Sequence, residues 1–150
     1  MFNLHTPTLR PAQKSDIPFL VALREQTMLQ HLANSGVHLG ADAQMARVMH
    51  HFDCAKIVVL DGVDIGLLKL NANVKPWELI QLQISPIHQG KGLGERMVGL
   101  VLRDARERGA DVELSVLKAN PARALYERLG FIMFSEDESS VFLKWTASTH

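Results

Sequence analysis

The residues with the most chemical promise are Gln89-Gly90-Lys91-Gly92-Leu93-Gly94, set between a strand-like run and a long stretch of helix formers. A helix start carries unpaired backbone N–H groups and about half a positive charge. Glycines in front of it let an anion approach those groups closely. One glycine would be explained by a tight turn; three at alternate positions, flanked by Gln89 and Lys91, fit anion binding better. The dinucleotide pattern G-x-G-x-x-G fails in both registers, because residues 95 and 97 are Glu and Met. The P-loop pattern fails too, since from Gly90 its second glycine would have to be residue 95.

Other reactive side chains promise less. His31, His38, His50 and His51 gather in one helical stretch, but His50 and His51 would point to different sides of a helix. No H-E-x-x-H set exists, so no metal is expected. His88, beside the loop, reads as a turn residue. Cys54 is the only cysteine, so no internal disulfide can form, which fits a reducing compartment. Its plain reading is a small, partly buried hydrophobe.

These groups need a frame, and 150 residues suffice for one domain, 1–150, with a sizeable core. Apolar residues make up 47% and charged residues 21%, so neither disorder nor a coiled coil is suggested. Sixteen basic residues balance sixteen acidic ones, which argues against a nucleic-acid surface. The start "MFNLHTPTLRPAQ" is not expected to act as a signal peptide, lacking a basic n-region and a long apolar core, and no apolar run approaches the ~18 residues of a membrane span. A cytoplasmic protein that binds no membrane is expected.

Periodicity then orders the elements. A short strand surrounds Leu9 and Arg10. Ser15 and Asp16 offer caps for a helix "IPFLVALREQTMLQHL", and "ADAQMARVMHHF" reads as a second helix. "KIVVL" and "VDIGLLKL" form a hairpin through Asp61-Gly62. In "ELIQLQI", Ile80, Leu82 and Ile84 take one face and Gln81 and Gln83 the other, and Pro86 ends the strand. After the glycines, Leu93, Met97, Leu100, Val101 and Ala105 keep helical spacing. "DVELSVL" is a strand, Asn120 caps a helix "PARALYERL", and "FIMF" and "VFLKW" close as a hairpin. Strands 78–84 and 112–117, joined through a helix, should run parallel. Ligands of such units sit beyond the carboxyl ends of the strands, where both the glycine loop and "LKANP" lie.

Gln89 to Gly94 also matches Q-x-x-G-x-G, the pyrophosphate signature of the GNAT superfamily of N-acetyltransferases, and the chain resembles that family more widely. "NPARALYERLGF", Asn120 to Phe131, is similar to the second family signature, and "LRPAQKSDIPFL" to the usual family start. The resemblance implies an α/β (α+β) fold, GNAT-like: a mixed, mostly antiparallel sheet of about six to seven strands, a central parallel pair and about four helices. It further implies acetyl-CoA as co-substrate, its pantetheine arm lying where the parallel strands splay. Backbone groups of Leu82, Gln83 and Ile84 would pair with the arm, and the amides from Gln89 to Gly94 (Gly90, Lys91, Gly92 and Leu93 between them) would hold the pyrophosphate. Asn120 and Arg123 would help from the second loop, with Lys91 or Arg128 supplying charge; a solvated helix face is the plainer reading of Arg123 and Arg128.

Transfer to a primary amine needs that amine neutral, and a lysine-like group costs roughly 4–5 kcal/mol to deprotonate at pH 7. A base helps, and a proton donor near the sulfur speeds its departure. Tyr126, the only tyrosine, stands where the resemblance places the general acid and also beside the donor. Glu78, eleven residues before Gln89, stands where several members of the family carry a catalytic Glu; a solvent-facing residue is the alternative. Residues 20–55, the acceptor side by the same resemblance, offer Arg24, Glu25, Gln26, Met28, His31 and Asp42. The acceptor, a small molecule or a protein amine, is left open, as is a monomer or a homodimer paired through the last strands with Phe142 and Trp145. Two other readings stand beside amine acetylation: an acyl-CoA sensor without turnover, and transfer of another short acyl group.

Overall fold

The computed structural model describes residues 6–32 and 40–149, with side chains in 6–27 and 40–149. Its elements are β1 (Thr8–Pro11), α1 (Ile17–Leu32), α2 (Ala41–Met49), β2 (Ala55–Leu60), β3 (Val63–Asn71), β4 (Trp77–Ile84), α3 (Leu93–Glu107), β5 (Val112–Leu117), α4 (Ala122–Arg128), β6 (Ile132–Glu136) and β7 (Ser140–Trp145). This is the order the periodicity suggested. The strands make one seven-stranded sheet, β1-β2-β3-β4-β5-β7-β6. β4 and β5 are parallel, while β1–β2, β2–β3, β5–β7 and β6–β7 are antiparallel. The fold is therefore the mixed sheet with a parallel pair expected above. By packing, the chain divides into two compact units, Met1–Lys69 with Gln81–Gly94, and Leu70–Ile80 with Glu95–His150.

In the first unit, Leu20 and Leu23 of α1, Val48 of α2, Ala55 and Ile57 of β2 and Leu67 of β3 form one apolar cluster. Asp61 and Gly62 both take left-handed angles (φ 51° and 78°), the conformation a two-residue hairpin with twisted strands requires. Before α1 the chain makes a tight turn, Lys14–Asp16, and the Asp16 carboxylate closes it by accepting from the Gln13 N–H at 2.8 Å. It also takes two bonds from Arg10, at 2.8 and 2.9 Å, and Arg10 reaches Asp64 at 3.0 Å. The Arg10 hydrogen bonds hold the Asp16 carboxyl below the usual carboxylate range, against the opposing effect of burial.

The second helix is shorter than the sequence pattern suggests. It ends at Met49 because His51 turns left-handed (φ 52°) and opens a tight turn, Phe52–Cys54. Its last carbonyls are served by Lys69 of β3, 0% exposed, whose Nζ donates to the carbonyls of Arg47, Val48 and His50. A cation at a helix C-terminus meets both the orphan carbonyls and the negative end of the dipole. Burial pushes the Lys69 amine below its ordinary value, and Arg24 adds to that.

In the second unit, Met97, Val98, Val101, Leu102 and Ala105 of α3 are buried, as are Val112 and Leu114 of β5. Val141, Leu143 and Trp145 alternate onto the buried side of β7. Trp145 thus belongs to the core and is not available for a pairing surface. The exposed apolar edge is instead β6, where Ile132 is 73% exposed. Strand β4 also departs from the expected two faces: Trp77, Leu79 and Ile84 are buried while residues 80–83 are half-buried. Half-burial at residues 80–83 means that both faces of this internal strand are partly covered. Among the described residues no helix is long and apolar enough to cross a membrane.

Candidate active site

Ser85 leaves β4 by donating its N–H to the Ile65 carbonyl at 2.7 Å, and Pro86–His88 form a tight turn. His88 is used within it, its Nδ1 lying 2.8 Å from the Ser85 hydroxyl. Gln89 then turns its side chain back: its Nε2 donates to the Ile84 carbonyl at 2.9 Å, tying the loop to the strand end. Gly90 and Gly92 adopt φ 77° and 76°, and a Cβ at either would meet nothing within 4 Å. Backbone angle, not crowding, therefore demands glycine at these two positions. Gly94 is different, since it already lies in the first turn of α3. Lys91 is exposed and Leu93 is buried as the anchor of the helix start. The turn leaves residues 90 and 92 as bare main chain leading into a 15-residue helix.

Along β4, the Gln83 carbonyl is turned toward Gly66 of β3, so closely that a Cβ on Gly66 would collide with it. The next carbonyl along the strand, that of Ile84, is the one that accepts from Gln89 Nε2. The Gln83 side chain donates through Nε2 to the Thr27 hydroxyl at 3.1 Å, while its buried Oε1 has no partner among the described residues. The parallel ladder joins Trp77 to Val112 and Glu78 to Glu113, with a Trp77 N–H bond to the Asp111 carbonyl at 2.8 Å. Glu78 is exposed there, beside Glu113, whose carboxylate lies 3.6 Å from Lys144.

The second loop is organised by Asn120, whose Oδ1 accepts the Ala122 N–H at 2.9 Å and so caps α4. Arg123 pairs with Glu127 at 3.2 Å along the exposed face of the helix, and Arg128 reaches Glu95, in the first turn of α3, at 3.5 Å. Tyr126 is the buried residue of this helix, 6% exposed, with its ring edge-to-face on Phe131 at 5.6 Å. Burial pushes its hydroxyl up to about 12. The proton therefore stays on oxygen throughout the neutral range.

Residues 23–131 match the acetyltransferase (GNAT) family. The chain belongs to that family. No curated protein matches it by sequence. Solved GNAT-type structures share its architecture: an acetyltransferase from Thermus thermophilus superposes with TM-score 0.76 at 22% identity, covering 97% of this chain and 99% of its own. PaiA N-acetyltransferase from Thermoplasma acidophilum, solved with coenzyme A, gives 0.75 at 15%, covering 93% and 98%. The ribosomal-protein-S18-alanine N-acetyltransferase of Escherichia coli gives 0.68 at 17%, covering 94% of each. At these identities the likeness speaks for the fold.

On the GNAT frame, the sequence had singled out the loop, the cap Asn120 and Tyr126. It had offered Arg24 without ranking it, and had passed over Thr27, Gln44, Gly66 and Lys69. The side chains of Met28 and His31, and residue His38, lie outside the described residues. Residues His51, Asp53 and Cys54 were not foreseen as a group, yet the tight turn after α2 brings a ligand atom of each within 4.8 Å of the others. Imidazole, carboxylate and thiolate are donors that a zinc-like ion accepts.

Proposed function

We propose that the chain, as one acyltransferase domain, transfers an acetyl group from acetyl-CoA to a primary amine by direct attack. The observation that carries this is the pair of left-handed glycines, which leave bare main chain running into α3. The amides from Gln89 to Gly94 take the pyrophosphate, with Gln89 fixing the loop through Ile84 and Lys91 adding charge. Backbone groups of Leu82, Gln83 and Ile84 serve the pantetheine arm, as an added strand pairs with an edge. Asn120 and Arg123 assist from the second loop.

Glu78 takes the amine's proton directly or through water, supported by its exposure at the start of β4. Tyr126 donates to the departing sulfur. A hydroxyl at about 12 facing a thiol of ordinary value near 8.5 keeps most of its proton, so its contribution is a hydrogen bond that strengthens as the thiolate forms. Tyr126→Phe is expected to lower kcat about 10- to 100-fold while calorimetric affinity for acetyl-CoA stays within about twofold. Equal turnover at saturating donor would remove the role. As the only tyrosine, Tyr126 can also be titrated by its phenolate absorbance. Its folded value is raised, so the neutral form is favoured by folding below the ordinary value of 10 and that advantage is lost as pH climbs toward about 12.

A further inference from the structure

We propose that the acceptor amine carries a carboxylate, and that Arg24 takes the carboxylate while Gln83 takes the amine. The assignment rests on the acyl-transfer reading above and names its substrate class. Arg24 of α1 is 8% exposed, and its Nε donates to Oε1 of Gln44 on α2, itself 7% exposed. Among the described residues this is its one hydrogen-bond partner, and no carboxylate lies within ion-pair distance of it. Its charged surroundings are cationic: Arg47 disfavours its charge, and Arg24 in turn disfavours that of Lys69. The residues whose side chains are not described, 1–5, 28–39 and 150, include no Asp or Glu.

A buried guanidinium cannot shed its proton, so its charge needs an anion from elsewhere. With Nε occupied by Gln44, the Nη donors are what a carboxylate would engage. Gln83 supplies the complementary need. The Thr27 hydroxyl gives its proton to the Leu23 carbonyl at 3.0 Å, so toward Gln83 it acts as acceptor. That fixes the amide with Nε2 on Thr27 and leaves Oε1 as a buried acceptor without a donor. A substrate N–H supplies that donor. Thr27 stands three residues after Arg24 on α1, a separation of about 5–6 Å between Cβ atoms, so one compact ligand can reach both groups. An amino acid or a short ω-amino acid has this layout. Polyamines and aminoglycosides, bearing only positive charge, would meet Arg24, Arg47 and Lys69 and be repelled.

The test is free-thiol release from acetyl-CoA with three acceptor sets: amino acids such as alanine and β-alanine, their carboxamides, and diamines with spermidine. Wild-type protein is expected to favour the acids by at least about 100-fold in kcat/KM, as expected when a desolvated charge pair decides. Arg24→Met is expected to raise KM for the acids by a similar factor and erase the preference, with coenzyme A affinity by calorimetry unchanged. Should Arg24→Met fold poorly by circular dichroism, Gln83→Met is expected to raise KM for every amine while the preference for acids remains. Equal or better use of carboxamides or polyamines overturns the assignment and leaves acyl transfer standing. Coenzyme A binding without transfer to any set overturns acyl transfer and the assignment with it.

Discussion

The glycine loop at 89–94 and the polar cluster of α1 and α2 are built by opposite means. The loop works with main chain: two residues in left-handed conformation, a glutamine spent on holding the turn, and a helix start beyond. The cluster works with side chains drawn from four elements, Arg24 and Thr27 from α1, Gln44 from α2, Lys69 from β3 and Gln83 from β4. A site made of amides offers the same donors whatever the neighbouring side chains are, which suits a diphosphate. A site made of converging side chains is particular to one chain, which suits an acceptor. The difference teaches where to look for generality and where for specificity within one fold.

The largest effect should come from striking the loop. Gly92→Glu places a carboxylate beside the proposed phosphates and a side chain on a left-handed residue. Affinity for acetyl-CoA by calorimetry is expected to fall at least about 100-fold, or ~2.7 kcal/mol, with the circular dichroism spectrum kept. Gly92→Ala, which adds strain without charge, separates the two contributions and should lose far less. If both variants bind as the parent does, the loop is only a turn and the contrast drawn above disappears.

A smaller effect is expected from the side-chain-built region. Lys69→Met keeps the bulk of the side chain but leaves the carbonyls of Arg47, Val48 and His50 without their donor. Stability by denaturant unfolding should fall by about 2 kcal/mol, the order of cost for a buried polar group left unpaired. Donor affinity should hardly move. A loss of coenzyme A binding equal to that of Gly92→Glu would mean that the two regions are not independent.

How much could be read beforehand follows the same division. The order of strands and helices was legible because apolar period and turn chemistry are local, as Asp61-Gly62 and the α3 stripe from Leu93 to Ala105 show. The loop was legible because main-chain chemistry demands glycine, and glycine spacing is visible in a string of letters. Lys69 was hidden inside a run that reads as a plain strand, since its partners lie on α2 and only folding brings them together. Arg24 was visible but unremarkable until its burial and lack of an acidic neighbour were known. The histidines at 50 and 51 misled because one left-handed residue ends the helix they were assigned to. Trp145 misled because the alternation of β7 decides which residues are buried, and composition does not.

The central claim is that main-chain N–H groups from Gln89 to Gly94 grip the diphosphate of the donor. Amide NMR of the isotope-labelled protein, titrated with coenzyme A, addresses it most directly. The account predicts that the amides of Gly90, Lys91, Gly92, Leu93 and Gly94 show the largest downfield proton shifts, as N–H groups do on meeting an anion. Saturable binding that leaves those amides unmoved while others shift would contradict it.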